Sequence, residues 1–380
     1  MNILTVCYYG MYQDLSLSFV HAQMAAYAAQ GHRVRVLIPI AWGKKDWDGS
    51  AVSCKRRVLD GVEMIPLRYL SLSGYGEGGF NTRSALWALR CGLKGLLRGF
   101  APDVIHAHTL GFCSTIGAWL KQRLNVPLVV TTHGSDSSIA LERGEYEQMK
   151  SLCDEADHIV AVSSVLAEKL RNCGTATPIS TILNGFILQH LPEVQDKQPL
   201  SFIQVGQLSQ QKRFDVTIRA FAKLRAAYPS ATLTVIGQGS EREALQALCE
   251  ELQVTDAVRF LGQIHNREVL AEMAKHQFFV MPSVREGFGI VYLEAMACGC
   301  ITVGTEGEGI SDVIVSGENG FLVPADTPDA IVEAVESCVR QPQMAETVAH
   351  RGSYTARQLT WQANAQSYLQ LFDYLIPGIS

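Results

Sequence analysis

The sequence predicts an α/β protein of two Rossmann-like domains whose parallel sheets face a central cleft. Three observations carry that prediction. Short apolar runs alternate with helix-patterned segments in both halves of the chain, which is the pattern of βα units in a parallel sheet. A length of 380 residues suits two domains of ordinary size, each able to bury a core. Near the middle, Leu191 to Pro199 is polar and carries two prolines, so it reads as a linker. These signals place an N-terminal domain at 1–195, a second domain at 196–358 and a final segment at 359–380.

Composition narrows the functional classes. The chain is 47% hydrophobic, as a globular protein is, and its net charge of −5 argues against general nucleic-acid binding. No apolar run approaches the roughly 20 residues of a membrane span. Met1-Asn2-Ile3-Leu4 reads directly as a strand rather than as a leader. Ten cysteines are scattered without a disulfide framework, as in a reducing cytosol, so a cytoplasmic location is expected. Cys298-Gly299-Cys300 lacks the second pair that zinc spacing needs.

In the first half, Ile3 to Cys7 is the opening strand. Only Gly10 follows it, so the Gly-x-Gly-x-x-Gly of a dinucleotide site is missing. A helix from about Phe19 to Gly31 and a strand from Val34 to Ile38 come next. Asp46-Trp47-Asp48 is a D-x-D beside Lys44 and Lys45, in a polar loop without a supporting strand, and a metal role is not expected. Asn81 to Phe100 is basic and amphipathic: Arg90, Lys94 and Arg98 recur every four residues, and Leu86, Trp87, Leu89, Leu93, Leu96 and Leu97 supply an apolar side. Such a stretch docks on an anionic membrane or a lipid-linked acceptor, or it is a surface helix whose apolar side meets the core. The second reading is preferred, and three glycines weaken the helix. Pro102 to His108 is strand-like, with His106 and His108 on one face; structural histidines are preferred to a metal pair without a third ligand. Leu128 to Thr131 is another strand, followed by Thr132-His133-Gly134-Ser135-Asp136. The carboxyl end of such a strand is where open α/β sheets bind ligands, although His133 alone also reads as a loop histidine. Thr181 to Phe186 closes this half.

In the second half, Phe202 to Val205 is a strand that runs into Gly206-Gln207-Leu208-Ser209-Gln210-Gln211-Lys212-Arg213 and a helix. Thr232 to Ile236 leads into Gly237-Gln238-Gly239, and Val258 to Gln263 follows. Phe278 to Met281 is a buried strand. Glu286-Gly287-Phe288-Gly289 is then a loop, a helix starts at Ile290, Gly299 sits at a C-cap position, and a strand restarts at Cys300. The glycines let backbone N–H groups approach a ligand, and the helix N-terminus behind them suits phosphate. Glu286 and Glu294 put one carboxylate on each side of a bound diphosphate, where vicinal hydroxyls are natural partners. The plain alternative is a surface loop with two ordinary glutamates. Helices at Asp329 to Arg340 and Trp361 to Leu375 complete the pattern.

The run EGFGIVYLEAMACG, with Glu286 and Glu294 seven residues apart between them, resembles the signature of family 4 retaining glycosyltransferases, nucleotide-sugar enzymes of the GT-B fold. PDVIHAH and TTHGSD resemble that family's N-domain motifs, and the Gly206 to Lys212 segment resembles its Gly-Arg-Leu…Lys motif. The resemblance covers nearly the whole chain, strongest from Ser201 to Pro324 and weakest before Pro102. It implies a C-terminal helix that crosses back to the N-domain. It implies transfer of a hexose from a UDP- or GDP-sugar to a hydroxyl of a sugar, lipid-linked or small-molecule acceptor, in bacterial polysaccharide or glycoconjugate synthesis, without metal or cofactor. Glu286 and His133 are the implied catalytic residues. Gly206, Gln207, Lys212, Arg213, Gly237, Gly287, Phe288, Gly289, Ile290 and Glu294 are the implied nucleotide-sugar contacts. Two departures stand out. Gln207 occupies the position of the usual Arg, which removes a charge from the phosphate site and gives Arg213 a candidate supporting role. The first loop has Leu15-Ser16-Leu17-Ser18-Phe19-Val20 in place of a glycine pair, so acceptor contacts do not transfer. The fold also hosts non-hydrolysing nucleotide-sugar epimerases, and Gln207 motivates a third reading, a binding subunit without turnover.

Overall fold

The computed structural model describes residues 1–8, 19–42, 56–71, 79–134, 137, 140–141, 143–188, 191–192 and 196–376. Leu15 to Ser18, Asp46-Trp47-Asp48, Ser135 and Asp136 lie outside the described residues. The chain divides into two units, Met1–Gly185 with Trp361–Ser380, and Phe186–Thr360.

The first unit follows a βα rhythm. Its elements are β1 (Asn2–Val6), α1 (Phe19–Ala29), β2 (Arg33–Ala41), β3 (Arg57–Leu59), β4 (Val62–Tyr69), α2 (Gly79–Leu96), β5 (Val104–His108), α3 (Phe112–Leu124), β6 (Leu128–Thr132), α4 (Tyr146–Asp154), β7 (His158–Ala161), α5 (Ser164–Arg171), β8 (Ile179–Thr181) and α12 (Trp361–Leu375). The sheet order is β3-β4-β2-β1-β5-β6-β7-β8. All pairings are parallel except β3 with β4. That exception is a hairpin turned by Asp60 and Gly61, both at positive φ (49° and 77°), as a two-residue hairpin turn of this kind requires. Strand order reverses between β1 and β5, the place where doubly wound sheets bind ligands.

Helix α2 forms despite its glycines. It buries Asn81, Ala85, Leu89 and Leu96, and packs on β4 and α3. Trp87, expected on the apolar side, is instead 70% exposed: the buried positions repeat at helical spacing through Ala85 and Leu89, and Trp87 falls between them. The buried guanidinium of Arg35 accounts for the helix end. It donates to the carbonyl of Leu96, pairs with Glu63 at 2.6 Å and lies 4.4 Å from the Phe100 ring centroid, a cation placed at the negative end of the helix dipole.

The C-terminal helix α12 packs on α1, as the resemblance implied. Tyr368 and Phe372 meet Tyr27 edge-on at 6.3 and 5.9 Å. Asn364 bridges two further segments: it accepts from Gln23 Nε2 at 2.7 Å and donates to the Leu183 carbonyl at 2.7 Å.

The second unit is built from β9 (Gln198–Val205), α6 (Phe214–Ala227), β10 (Thr232–Ile236), α7 (Arg242–Glu251), β11 (Val258–Gly262), α8 (Asn266–Met273), β12 (His276–Val280), α9 (Ile290–Ala297), β13 (Ile301–Thr305), β14 (Phe321–Val323), α10 (Pro328–Arg340) and α11 (Pro342–Gln358). Its sheet runs β11-β10-β9-β12-β13-β14, all parallel, so the order reverses between β9 and β12. Phe202 stacks on Phe278 at 5.1 Å and meets Phe221 edge-on at 5.9 Å. Rings this well buried each contribute on the order of 2 kcal/mol. The two ends of the unit are tied together, with Phe186 N–H donating to the Leu359 carbonyl at 3.1 Å. Among the described residues, no helix of either unit is long and apolar enough to cross a membrane.

Candidate functional site

In the second unit the expected residues gather where strand order reverses. The loop after β9 carries Gly206 to Arg213, and the loop after β12 carries Glu286 to Gly289. Backbone contacts lace together the carboxyl ends of β9, β10 and β11. Gly206 N–H donates to the Ile236 carbonyl (3.0 Å), Leu208 N–H to Gln238 (3.0 Å) and Gly237 N–H to Gly262 (2.8 Å). Glycine is needed at 237: its φ is 139°, and a Cβ there lies 1.8 Å from the Gly206 carbonyl oxygen.

Lys212 ends a short 3-10 turn, and its stem runs beside Gly206, where a Cβ would meet it at 3.7 Å. Its ammonium is paired with the Glu286 carboxylate, and both side chains are largely buried. The buried Gln204 amide donates to the Lys212 carbonyl at 2.7 Å. The neighbour Arg213 is engaged elsewhere: its guanidinium pairs with Asp326 and lies 3.8 Å from Asp215. Gln207 is exposed. The structure therefore brings together Gly206, Lys212, Glu286 and the start of α9, and gives Arg213 acidic partners of its own.

Helix α9 begins at Gly289, whose φ is 81°; a Cβ there meets the Tyr292 ring at 2.6 Å and Glu286 Cγ at 3.2 Å. The first N–H groups of a helix have no intrahelical partner and carry the positive end of its dipole. Phe288 is buried and anchors the loop. Buried Tyr292 donates to the Met281 carbonyl (2.6 Å) and pairs with Ser283 Oγ (2.9 Å), fixing the strand-to-loop turn. Burial, with the nearby carboxylates of Glu286 and then Glu308 adding to it, pushes its phenol far above the usual range. The helix ends at Gly299 (φ 78°), with Cys300 N–H donating to Ala295 and Gly299 N–H to Met296, the paired bonds of a glycine C-cap. Helix α9 is apolar on nearly every side because it is buried against β13, α8 and α11. Burial raises the Glu294 carboxyl above its ordinary range, and a hydrogen bond from Asn266 at 3.0 Å works against that rise.

His133 belongs to the first unit, at the carboxyl end of β6. Its Nε2 is 3.1 Å from Nδ1 of His108, and the two rings stack at 5.4 Å. Behind them His106 Nε2 meets Thr131 Oγ1 at 2.8 Å, and Thr131 Oγ1 meets the Tyr368 hydroxyl at 2.8 Å. Burial, and then the neighbouring His133, lower His106 to about 3; burial and both neighbouring imidazoles hold His108 well below its ordinary value. These two are buried neutral imidazoles. Among the described residues, no group of three or more His, Cys, Asp or Glu is arranged to hold a metal ion.

Sequence reading missed His108, Asn266 and Glu308 as partners of the candidate residues. His108 alone had a legible signal, because it ends β5 and is in register with Thr131, two residues before His133. Asn266 and Glu308 are 28 and 22 residues from the groups they hold, and no local pattern links them.

Comparison with known proteins identifies the family and the fold. Residues 189–356 match the family described as glycosyl transferases group 1, and residues 18–190 match glycosyltransferase family 4. The D-inositol 3-phosphate glycosyltransferase of Corynebacterium jeikeium is 31% identical over 313 residues, covering 74% of each chain. Among solved structures, sucrose-phosphate synthase from Thermosynechococcus elongatus superposes with a TM-score of 0.80 at 21% identity, covering 99% of both chains. Anabaena HepE, solved in complex with UDP and glucose, has a TM-score of 0.75 at 18% identity, covering 99% of this chain and 100% of its own. Strand order, loop chemistry and family match converge: the chain belongs to the family 4, group 1 glycosyltransferases and has their GT-B fold.

Proposed function

We propose that this protein is a retaining, metal-independent hexosyltransferase that moves a sugar from a UDP- or GDP-sugar to an acceptor hydroxyl in bacterial polysaccharide or glycoconjugate synthesis. The observation that carries the reading is the Lys212–Glu286 ion pair at the N-terminus of α9, beside the reversal point of the sheet. A diphosphate offers Lys212 a doubly charged partner, and the helix N–H groups add fixed positive charge. The lysine then leaves Glu286, whose carboxylate is free to face the sugar and to steady positive charge at the anomeric carbon. Glu294 takes the ribose hydroxyls, with Asn266 holding one carboxylate oxygen. The glycines at 206, 237, 287 and 289 let these loops pack closely enough for their backbone N–H groups to face the donor. Lys212 and the helix dipole together supply the counter-charge that a cation provides in other transferases. From the first unit, His133 takes part in transfer, oriented by His108. The bound UDP and glucose of Anabaena HepE support UDP-glucose as the first donor to test.

The experiment is a thermal-shift screen of UDP-, GDP- and ADP-sugars, since a ligand bound only by the native state raises its melting temperature. Turnover by Glu286→Ala and Lys212→Ala variants follows, with the donor so found. The expected outcome is a shift by a UDP- or GDP-sugar and a loss of at least 100-fold in kcat for both variants. Undiminished transfer by either variant refutes the assignment of roles.

A further inference from the structure

We propose that Glu308 is a positioning residue for transfer: its carboxylate clamps the peptide that carries Glu286. This rests on the role given to Glu286 above. The two oxygens of Glu308 accept from consecutive backbone donors, Oε1 from Arg285 N–H at 2.8 Å and Oε2 from Glu286 N–H at 2.8 Å. The next residue grips the following peptide, with Gly309 N–H donating to the Glu286 carbonyl at 3.2 Å. Both polar groups of the Glu286 backbone are thus held by one short segment, Glu308-Gly309, reached only after α9 and β13 have been traversed.

The closeness of that grip is visible at Gly309. A Cβ there lies 2.2 Å from the Gly287 carbonyl oxygen and 2.7 Å from Phe288 Cα, so a glycine is required for the segment to reach the loop. The loop itself holds a conformation that needs support. Arg285 has φ 58°, a left-handed conformation that costs a side-chain-bearing residue on the order of 1 kcal/mol. On its other side the loop is tied to the phosphate-side turn: Val284 N–H donates to the Gln211 carbonyl (2.9 Å) and Gln211 Nε2 to the Arg285 carbonyl (2.9 Å). A strained residue immediately before the reacting carboxylate, with clamps on both flanks, is a means of holding Glu286 where Lys212 and the donor meet it. The placement also has an electrostatic cost, since Glu308 brings a second carboxylate near Glu286. Two charge-assisted bonds to backbone donors offset that cost; a solvated surface acid has no reason to accept it.

The test compares wild type with Glu308→Ala and Glu308→Gln. Hydrogen exchange of the Arg285 and Glu286 amides reads the clamp, and turnover of UDP-glucose reads its consequence. Removing the carboxylate is expected to speed exchange at both amides at least tenfold. It is also expected to lower kcat 10- to 100-fold with the donor KM within threefold, the signature of a misplaced group rather than of lost binding. Glutamine keeps one acceptor oxygen and falls between the other two, and it serves as the variant of record if the alanine protein fails to fold. Circular dichroism matches the folded fractions, so that a loss of fold does not register as a loss of kcat. Unchanged exchange at both amides overturns the clamp; faster exchange with wild-type kcat overturns the positioning role. Should wild type neither bind nor turn over UDP-glucose, that donor assignment fails, and exchange at the two amides still decides whether Glu308 holds the loop.

Discussion

Mild acid is predicted to loosen the first unit through its buried histidines. His106 touches the rings of Tyr27, His108, Tyr368 and Phe372, and its Nε2 is taken by Thr131. Its folded value is lowered from 6.5 to about 3. Between those values the unfolded chain holds a proton that the folded chain refuses, so stability falls as pH falls. The loss is about 1.4 kcal/mol per pH unit for each such histidine, or roughly 2 kcal/mol for His106 between pH 6.5 and 5. His108, also held well below its ordinary value, adds a loss of the same sign. Together they remove a substantial part of the 5–15 kcal/mol typical of a domain. The assay is denaturant unfolding from pH 7.5 to pH 5, with hydrogen exchange in β5 and α12 to isolate the first unit, because a chain of two units is not expected to unfold in one step. The His106→Phe variant keeps a ring in place and leaves the Thr131–Tyr368 contact intact. Its stability is expected to fall less steeply with acid than wild type, by about 1.4 kcal/mol per pH unit. Parallel curves for the two proteins would refute the reasoning.

Three further outcomes follow from single contacts. Asn364→Ala takes one acceptor from the Gln23 amide and the side-chain donor from the Leu183 carbonyl, and is expected to cost the first unit about 1–2 kcal/mol in denaturant unfolding. Gly237→Ala puts a methyl into the Gly206 carbonyl, so the tips of β9 and β10 must separate; the expected result is a loss of at least 10-fold in UDP affinity by calorimetry, with a lowered melting temperature. Glu294→Gln removes a carboxyl whose folded value is raised by burial. Wild type is fully stabilised with respect to this group below about pH 4.5 and loses that stability as pH rises through the raised value. The glutamine variant is therefore expected to melt higher than wild type near neutral pH while binding UDP more weakly, and melts from pH 4 to pH 8 check the sign.

The alternation of strands and helices, the reversal-point loops and the Glu286-to-Ile290 turn were all readable along the chain, because each is a local pattern of apolar period, glycine and helix start. Helix α9 was found from its two ends: the glycine before it and Gly299 after it mark conformations that few other residues adopt. Trp87 shows where local pattern stops, since the same apolar run permits several buried faces and packing on β4 and α3 selected one. Arg213 shows the same limit for charge. Adjacency to Lys212 suggested a shared phosphate; the fold sets the Arg213 guanidinium against Asp326, a partner far from any local pattern, and 3.8 Å from Asp215.

What the sequence alone determined was the family motif and the candidate residues it singles out. What only the tertiary structure decided was how those residues are held: His108 against His133, Asn266 against Glu294, and Glu308 across the peptide of Glu286. Local propensities act over a few residues along the chain. A buried carboxylate or imidazole must satisfy its hydrogen bonds with whatever the fold places beside it, at any separation in sequence.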